Sequence, residues 1–426
     1  MTSKLVFISA VCPYPADSGK KVFIDGFLKY NINKLGVENV HYFLLGKTDQ
    51  DIIKAFREKY EIDVVCLGVI ATNEVMRNTL LSFFSKTSKS FQECVLYSRA
   101  IKNMLFKKIK KLDPSVVVVD TVRIGQYFET ERPNSAKYVM YMEDLFSVRY
   151  KRMLESSEKQ GALNAAGNFI SNVPKIFRGI LKSQFVEKLI LGIELKRIET
   201  RETYMPEKFD LNMLLSQDDV LELRKVTPNA SVIQVLPRLQ IKSTIERQWK
   251  GEPIFVFIGD LKVSENSVSL EYFIEKCMSQ IIRRIPNFKL MIIGKGLPPN
   301  LRELIGQFKN NIEYLGFIED IDIIFASCAA MIIPMLFGSG IRFKALDAFV
   351  RGVPVVSTPL GVEGLGLEGL DVCMISRDIE HMPELIDSVL EVNVNKYYSS
   401  EGKKFFAEKF EDRRICSVYD SILHVL

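Results

Sequence analysis

The stretch of the chain best suited to chemistry is Pro334–Gly364, with the sequence PMLFGSGIRFKALDAFVRGVPVVSTPLGVEG. A predicted strand ends at Pro334 and is followed by the turn Gly338-Ser339-Gly340 and by a helix that begins around Arg342. Glycines let backbone N–H groups approach an oxyanion, and a helix N-terminus adds partial positive charge. Arg342 and Lys344 would be unfavourable in a first helical turn unless an anion compensated them. The pattern therefore predicts a diphosphate site.

One turn beyond Lys344, Asp347 offers a carboxylate on the same predicted helix. A carboxylate accepts hydrogen bonds from hydroxyl groups, so a ribose attached to the diphosphate would be a suitable partner. The alternative interpretation is a surface ion pair between Asp347 and Lys344. That alternative explains one pair of side chains, whereas the glycine turn and both cations together indicate nucleotide binding.

The elements that must position these residues follow a regular order. Short apolar segments rich in valine and isoleucine alternate with longer amphipathic segments. Continuous apolar runs are typical of parallel strands covered on both faces, and their alternation with helices predicts right-handed βαβ units in an α/β fold. The predicted strands are 4–10, 39–45, 63–68, 115–120, 137–142 and 211–215, and, after the pattern restarts, 254–259, 289–294, 312–315, 331–334, 353–357 and 372–375.

The length of 426 residues exceeds one ordinary domain of ~150 residues and suits two. We predict an N-terminal domain over 1–236, a linker over 237–252 and a C-terminal domain over 253–400. The linker is bracketed by prolines and has no clean periodicity. The last segment, 401–426, is predicted to be helical with a charged face.

Residues 156–202 interrupt the first α/β block. The segment starts with small and polar residues and becomes basic and amphipathic, with lysine and arginine between the apolar positions. Its apolar helical face contains Ile176, Phe177, Ile180, Leu181 and Phe185. Two interpretations are open: a helix packed on the N-terminal domain with one solvated face, or contact with a membrane or a lipid acceptor through 174–200.

The overall composition excludes several classes of protein. Hydrophobic residues make up 47% and charged residues 26%, which are globular values, and a net charge of +5 is too small to indicate nucleic-acid binding. Seven scattered cysteines without a C-x-x-C pair, and three distant histidines, argue against a zinc site and suggest reduced thiols. The N-terminus does not resemble a signal peptide, and no apolar run reaches the ~18 residues of a membrane span, so we expect a cytoplasmic protein.

The stretch from the glycine turn onward resembles the donor-binding motif of GT-B glycosyltransferases of the group 1, or family 4, type. In that motif a glycine-rich turn precedes a helix and a Gly-x-Pro-Val-Val strand. One departure concerns a pair of glutamates with seven residues between them, which are replaced here by Ser339 and Asp347. The matching residues are Gly338, Gly340, Arg342, Lys344, Asp347, Ala348, Phe349, Gly352, Pro354, Val355 and Val356.

The resemblance extends over most of the chain and implies roles for further residues. It places the nucleobase at the backbone around Phe317, and it puts Asp144, with Glu143 and Arg149, beside the reacting centre. Helix capping is the alternative for that acidic pair, and a plain β-to-α turn is the alternative for Gly19. The catalytic residues are thus expected to be Arg342, Lys344 and Asp144, and the donor-binding residues Gly19, Lys20, Gly259, Asp260, Gly294, Phe317, Gly338, Ser339, Gly340, Ile341 and Asp347.

The resemblance also implies the architecture and the activity. Two Rossmann-like domains would face each other across a cleft, with the C-terminal helix crossing back to the first domain. The expected reaction transfers a hexose, with retention of configuration and without metal or other cofactor, from a UDP- or GDP-linked donor to a glycan or lipid-linked acceptor. Cell-surface polysaccharide or glycoconjugate synthesis, at the inner face of the membrane, is the expected setting, and no nucleic-acid partner is expected.

Two other functions remain open. The chain could be a non-catalytic GT-B-like partner subunit of another glycosyltransferase, because the first glutamate of the motif is missing. It could also be a sugar-nucleotide epimerase, although such enzymes use histidine near the sugar and none lies in the motif. The Asp320-Ile321-Asp322 sequence resembles a metal-binding D-x-D, but it precedes a predicted helix, so we predict that these acids cap that helix.

Overall fold

The computed structural model describes residues 3–16, 18–84, 89–160, 184–239, 245–318, 320–338 and 341–424. The chain divides into two compact units. The first contains Met1–Leu154 and Ile170–Leu239 together with Asp412–Leu426, and the second is formed mostly by Gln240–Glu411. Each unit is built around one parallel sheet, which confirms the predicted α/β class.

The sheet of the first unit has the strand order β3-β2-β1-β4-β5-β6-β7, and every pair of neighbours is parallel. Its two central strands, β1 and β4, are buried along their whole length, as their continuous apolar sequences predict. The strands are β1 (Leu5–Ser9), β2 (Val40–Leu45), β3 (Val64–Gly68), β4 (Val116–Asp120), β5 (Lys137–Glu143), β6 (Leu211–Leu214) and β7 (Val232–Gln234).

The helices of the first unit cover this sheet with apolar faces. In the fifth helix, Ile101, Leu105 and Ile109 are buried at helical spacing, and the helix ends at Asp113 in the left-handed conformation. The helices are α1 (Gly19–Leu35), α2 (Gln50–Tyr60), α3 (Thr72–Phe84), α4 (Phe91–Val95), α5 (Arg99–Leu112), α6 (Thr121–Gly125), α7 (Phe146–Gln160), α8 (Gln184–Tyr204) and α9 (Gln217–Val226).

Helix α8 and the end of α7 are the described parts of the segment 156–202 that was predicted to be an insertion. Leu191 and Ile198 on this helix are buried in the first unit, while Leu189 is exposed. Over residues 184–204 the structure therefore matches the interpretation of a helix packed on the N-terminal domain. Residues 161–183, which include the start of the proposed membrane contact over 174–200, lie outside the described residues.

Two buried carboxylates of α8 cap other helices. Glu194 accepts a hydrogen bond from the backbone N–H of Phe91 at 2.7 Å, at the start of α4. Glu202 accepts from the N–H of Phe146 at 2.7 Å and from the N–H of Ser147 at 3.2 Å, at the start of α7. These bonds satisfy N–H groups that a helix leaves without intrahelical partners. Burial raises the pKa of each carboxyl to about 7.

The second unit contains a parallel sheet with the order β10-β9-β8-β11-β12-β13. The strands are β8 (Ile254–Ile258), β9 (Lys289–Ile293), β10 (Ile312–Gly316), β11 (Ala330–Ile333), β12 (Val355–Ser357) and β13 (Met374–Ile375). The helices are α10 (Ser264–Arg284), α11 (Pro299–Gln307), α12 (Asp322–Ser327), α13 (Phe343–Arg351), α14 (Met382–Ser388) and α15 (Val392–Lys409).

The C-terminal segment differs from the prediction of one helix over 401–426. The chain forms α15, which belongs to the second unit, and then a separate helix α16 (Asp412–His424), which belongs to the first. In α15, Gly402 lies against Phe349, since a Cβ at that position would be 2.9 Å from the ring. In α16, Tyr419 packs edge-on against Phe23 and Phe27. The two helices thus bury their apolar residues in different cores, which explains the break.

No helix within the described ranges is both long enough and apolar enough to cross a bilayer.

Candidate functional site

The sheet of the second unit reverses its winding between β8 and β11. From β8 the chain proceeds to β9 on one side, and from β11 to β12 on the other. In an open α/β sheet, the carboxyl ends of the strands at such a switch point form the usual ligand crevice. Gly259 and Asp260 directly follow β8, and Arg342 lies in the connection that follows β11. The fold therefore brings the two parts of the predicted site to the same sheet edge.

The turn after β9 packs closely against the turn after β8 and requires glycine at position 294. A Cβ on Gly294, which has φ +156°, would lie 1.8 Å from the carbonyl oxygen of Gly259, so only glycine fits there. The Asp260 carboxylate accepts the backbone N–H of Lys262 at 2.9 Å. Asn266 donates its side-chain amide to the carbonyl of Asp260 at 2.9 Å. These contacts hold the backbone after β8 in a fixed conformation beside the first turns of α10.

Lys344 connects this turn to helix α13. Its Nζ donates to Oδ1 of Asn266 at 2.8 Å and lies 5.1 Å from the centre of the Phe257 ring. Burial, assisted by the nearby positive charge of Arg342 and opposed by Glu265, lowers the pKa of Lys344 to about 7. A partly desolvated ammonium group at a helix N-terminus is a strong partner for a bound anion.

Arg342 directly precedes α13, at its N-cap position. Its Nε donates to the carbonyl of Leu360 at 3.0 Å. The guanidinium lies against Gly338, where φ is +118° and an added Cβ would be 2.5 Å from a guanidinium nitrogen. Ile341 is buried, and Ser339 and Gly340 lie outside the described residues. Arg342 and Lys344 thus occupy the start of one helix, as the anion-binding pattern requires.

Asp347 forms an ion pair one turn further along α13. Arg351 contacts its carboxylate at 3.1 Å and contacts Asp322 at 2.6 Å. Burial raises the pKa of Asp347, and the positive charge of Arg351 opposes that rise. The sequence did not single out Arg351, although an arginine four residues after a carboxylate is a known helical signal. The predicted contact between Asp347 and a ribose stays a prediction.

The D-x-D sequence lies at the start of α12. Asp320 accepts the backbone N–H of Asp322 at 3.0 Å, which agrees with the predicted capping role. Asp322 itself is the partner of Arg351. Among the residues that the structure describes, there is no group of three or more histidine, cysteine or acidic side chains that could hold a metal ion.

Phe317 follows β10 and is 58% exposed, a large value for a phenylalanine. The Nζ of Lys295 lies 4.2 Å from the centre of its ring. An exposed aromatic ring next to a cation suits stacking of a planar base, because both groups interact favourably with π systems. Sequence reasoning expected only the backbone to matter at Phe317 and did not identify Lys295, although this lysine directly follows the required Gly294.

The first unit has a second polar cluster at its own switch point, between β1 and β4. Gly19 begins α1, and Lys20 contacts Asp120 at 2.6 Å and Glu143 at 3.2 Å. Asp120 also accepts the hydroxyl of Ser9 at 2.6 Å. The charge of Lys20 is thus shared between two carboxylates, and its contact with a donor phosphate stays a prediction.

The backbone near this cluster is strained at two positions. Glu143, at the end of β5, has φ +71°, and Thr121, directly after β4, has φ +65°. Left-handed conformations of non-glycine residues store strain and are concentrated at functional sites. Asp144, the predicted catalytic residue, is buried and paired with Arg149 at 2.5 Å. The structure places Glu143 in contact with Lys20, and the catalytic role of Asp144 stays a prediction.

We expect nucleotide affinity to depend on the protonation of Lys344. Because its pKa is about 7 in the free protein, the ammonium form dominates below that pH and is lost above it. Raising the pH from 7 to 8.5 should weaken binding of UDP by about tenfold, because most of the free protein then has a neutral Lys344 that must gain a proton on binding. Titration calorimetry at several pH values measures this change.

The matched control for that experiment is Lys344→Arg. Arginine stays charged throughout this range, so the affinity of this variant should be nearly independent of pH. If the affinity for UDP depended on pH equally in both proteins, a group other than Lys344 would cause the pH dependence.

Comparisons with known proteins agree with this fold and with the position of the predicted site. Residues 252–391 match the family described as glycosyl transferases group 1. The chain has the two-domain fold of the GT-B glycosyltransferases, which confirms the resemblance that the donor motif indicated.

Individual proteins of known sequence or structure are similar to this chain. An uncharacterized 44.6 kDa protein in the cps region of Klebsiella pneumoniae is 26% identical over 169 residues, which are 38% of this chain and 44% of that relative. Sucrose-phosphate synthase from Thermosynechococcus elongatus has a TM-score of 0.66 and 12% identity, with 99% of this chain and 98% of that chain covered. The HepE protein of Anabaena in complex with UDP-glucose has a TM-score of 0.61 and 12% identity, with 99% and 100% covered.

Proposed function

We propose that this protein transfers a sugar from a nucleotide-sugar to a glycan or lipid-linked acceptor during synthesis of a cell-surface polysaccharide. The observation that carries the proposal is the placement of Arg342 and Lys344 at the start of α13, linked through Asn266 to the turn after β8. The cps region of the Klebsiella relative supports the polysaccharide setting. The complex of HepE with UDP-glucose supports a UDP-linked sugar as the first donor to examine.

The proposed donor lies along the carboxyl edge of the second sheet. The diphosphate contacts Arg342, Lys344 and the N-terminus of α13. The ribose hydroxyls donate to Asp347, and the base stacks on Phe317. The glycine backbone after β8 and β9 allows the sugar and diphosphate to approach closely, because a side chain at Gly294 would displace Gly259.

In the proposed reaction, the bond between the anomeric carbon and the donor phosphate oxygen breaks while the acceptor hydroxyl oxygen bonds to that carbon. A donor phosphate oxygen accepts the hydroxyl proton, which gives retention of configuration without a protein base. The two cations stabilise the charge that develops on the leaving diphosphate, and pre-positioned groups of this kind contribute strongly because they need no reorganisation. We propose that the acceptor contacts the cluster around Glu143 and Asp144. The proposed setting of the reaction is the inner face of the cell membrane.

A donor panel tests this proposal. UDP-, GDP-, ADP- and dTDP-sugars are added to the purified chain, thermal stabilisation is measured, and any nucleotide-sugar that stabilises the protein is then assayed for transfer and slow hydrolysis. A ligand that binds the folded protein raises the midpoint temperature of unfolding by mass action, so a saturating donor should raise this temperature clearly. If no nucleotide-sugar stabilises the protein, the proposal is wrong. Binding without transfer or hydrolysis would instead favour a non-catalytic partner subunit, and conversion of the donor sugar without acceptor would favour an epimerase.

Asp347 should determine whether a ribose is preferred over a deoxyribose. We expect Asp347→Ala to weaken UDP binding by about tenfold, which corresponds to one hydrogen bond to a charged group. The same variant should bind UDP and 2′-deoxy-UDP almost equally, whereas the wild-type chain should prefer UDP. Calorimetry with both nucleotides measures the two ratios.

The control is Asp378→Ala, a change at an exposed aspartate of the same unit. It should leave the preference for UDP intact. If Asp347→Ala still preferred UDP over 2′-deoxy-UDP, Asp347 would not be the residue that contacts the ribose.

A further inference from the structure

Arg123 lies in α6, the short helix that directly follows β4 at the carboxyl edge of the first sheet. Its Nε donates to the hydroxyl of Thr121 at 3.2 Å, and its Nη1 donates to the side-chain carbonyl of Gln92 at 2.9 Å. The amide nitrogen of Gln92 in turn donates to the hydroxyl of Tyr150 at 2.5 Å. Two uncharged side chains therefore hold the guanidinium group of Arg123 in one position.

Across the described ranges of the chain, no ion pair joins Arg123 to a carboxylate, and its nitrogen Nη2 donates no hydrogen bond. Nη2 is not among the buried nitrogen atoms that lack a partner, so solvent reaches it. A guanidinium group presents its N–H groups in a fixed fork that matches the paired oxygens of a carboxylate or a phosphate. Arg123 thus retains both its charge and donor positions for an anion.

A second arginine lies beside the same aromatic ring. The guanidinium carbon of Arg123 is 4.9 Å from the centre of the Phe146 ring, and that of Arg149 is 5.2 Å from it. Burial raises the pKa of Tyr150, and the charges of Arg123 and Arg149 both oppose that rise. Arg149 also contacts Asp144 at 2.5 Å. The ring of Phe146 therefore helps to fix two guanidinium groups near each other, beyond the ends of β4 and β5.

The backbone is strained on both strands that lead to these arginines. Thr121 is β-branched and has φ +65°, a conformation that such residues rarely adopt. In this conformation its hydroxyl accepts the Nε–H of Arg123. Glu143, at the end of the neighbouring strand, has φ +71°. Strain of this kind is concentrated at binding and catalytic sites, so it supports a functional role for this edge of the sheet.

We propose that Arg123 and Arg149 bind an anionic group, a carboxylate or a phosphate, on the acceptor sugar. This inference rests on the proposed glycosyl transfer and narrows its acceptor to an acidic glycan or a sugar phosphate. The neighbouring carboxylates of Asp120 and Glu143 repel an anion but accept hydroxyl groups, so the two sets of side chains together orient the acceptor. A neutral sugar would leave the charge of Arg123 without a partner and should bind more weakly.

Calorimetric titration of the full chain tests the inference. The host protein is the double variant Arg342→Ala, Lys344→Ala, which lacks the proposed diphosphate contacts of the second unit, so that an added anion does not bind there. Three probes share the glucose framework: methyl α-glucuronoside has a carboxylate, glucose 1-phosphate has a phosphate, and methyl α-glucoside is neutral. At least one anionic probe should bind about tenfold more tightly than the neutral probe, as expected for a hydrogen bond to a charged group.

The two anionic probes distinguish the two sources of the anion. Tighter binding of the glucuronoside supports the inference and identifies an acidic glycan as the acceptor. Tighter binding of glucose 1-phosphate supports it equally and identifies a sugar phosphate.

Variants of Arg123 in the same host separate binding from a structural role. Arg123→Met should weaken binding of the preferred anionic probe by about tenfold and leave the affinity for the neutral probe unchanged. Arg123→Lys keeps the charge but loses the paired donors, so its affinity should be intermediate. Thermal unfolding of each variant shows that it is folded. The matched control, Arg77→Met, removes an arginine of the same unit whose side chain is 65% exposed, and it should bind all probes like the host.

Equal affinity for the three probes, no binding of either anion, or unchanged affinity after Arg123→Met overturns the inference. An equal loss in Arg77→Met also overturns it, because the effect would then follow the net charge rather than the position of Arg123. The titrations contain no sugar donor, so their failure leaves the proposed transfer reaction intact, and the donor panel tests that reaction separately.

Discussion

Replacing both Arg342 and Lys344 by alanine should abolish measurable sugar transfer while leaving the protein folded. Each cation is placed at the start of α13, where the leaving diphosphate gains charge in the proposed reaction. Loss of one such contact typically costs about 10²–10³ in rate. If the two act independently, the double variant should lose on the order of 10⁴ or more. The measurement is transfer, or donor hydrolysis where no acceptor is known, for the single and double variants.

The control for this experiment is the double variant Lys276→Ala, Arg283→Ala, which removes an exposed lysine and arginine from α10 of the same unit. It should retain wild-type activity, because neither residue lies at the sheet edge that forms the proposed site. Nucleotide affinity separates two outcomes. A large fall in both affinity and rate supports a role in holding the diphosphate, whereas full activity of the double variant would exclude these cations from the reaction.

The donor motif could be identified from sequence because its signals are local. The run from β11 through the glycine turn to α13 contains the strand, the turn and both cations within about a dozen residues of each other, so their proximity did not depend on the rest of the fold. The strands could also be predicted from sequence: residues 116–119 are a continuous run of β-branched valines, and the structure buries all of it.

The polar cluster of the first unit could not be assembled from sequence. Lys20, Asp120 and Glu143 are far apart in the chain and meet only because β1, β4 and β5 are neighbours in the sheet. The sequence predicts that Asp120 lies at the end of β4, but it does not indicate that Lys20 contacts this carboxylate. The sequence does not indicate the left-handed backbone of Glu143 either, because that conformation is expected mainly at glycine. The structure adds that Asp144 pairs with Arg149, while the catalytic role of Asp144 stays a prediction.

The same reasoning explains the C-terminal segment. Its amphipathic pattern correctly indicates helix, but a pattern does not specify which core receives the apolar face. Phe405 is buried beside Phe349 in the second unit, and Tyr419 is buried beside Phe27 in the first. The chain therefore ends α15 before α16 begins, and each helix packs its apolar residues into a different core.

The largest effect on stability is expected for Arg201→Met. Arg201 on α8 is 3% exposed and contacts Glu93 at 2.8 Å and Glu129 at 2.6 Å, while Glu93 is fully buried. Glu93 also belongs to the capping box at the start of α4. Removing the arginine leaves a buried carboxylate without its cation, which typically costs about 3–5 kcal/mol. Chemical denaturation followed by circular dichroism measures the loss.

The pH dependence of that loss identifies its cause. Burial raises the pKa of Glu93, and Arg201 opposes the rise, so the pKa should increase further in Arg201→Met. A carboxyl whose pKa is higher in the folded state stabilises the protein at low pH and loses this contribution as pH rises through the folded value. The variant should therefore be closer to wild type at pH 5 than at pH 8. Adding Glu93→Gln should restore part of the stability at pH 8, since it removes the buried charge.

Arg132→Met provides the matched control, because Arg132 pairs with Asp210 at 2.9 Å on the surface of the same unit. An exposed pair contributes about 0–1 kcal/mol, so this variant should unfold close to wild type at every pH. If the two arginine variants lose similar stability, burial does not govern the strength of these pairs. If Arg201→Met loses equally at pH 5 and pH 8, the loss comes from packing of the arginine side chain rather than from the charge of Glu93.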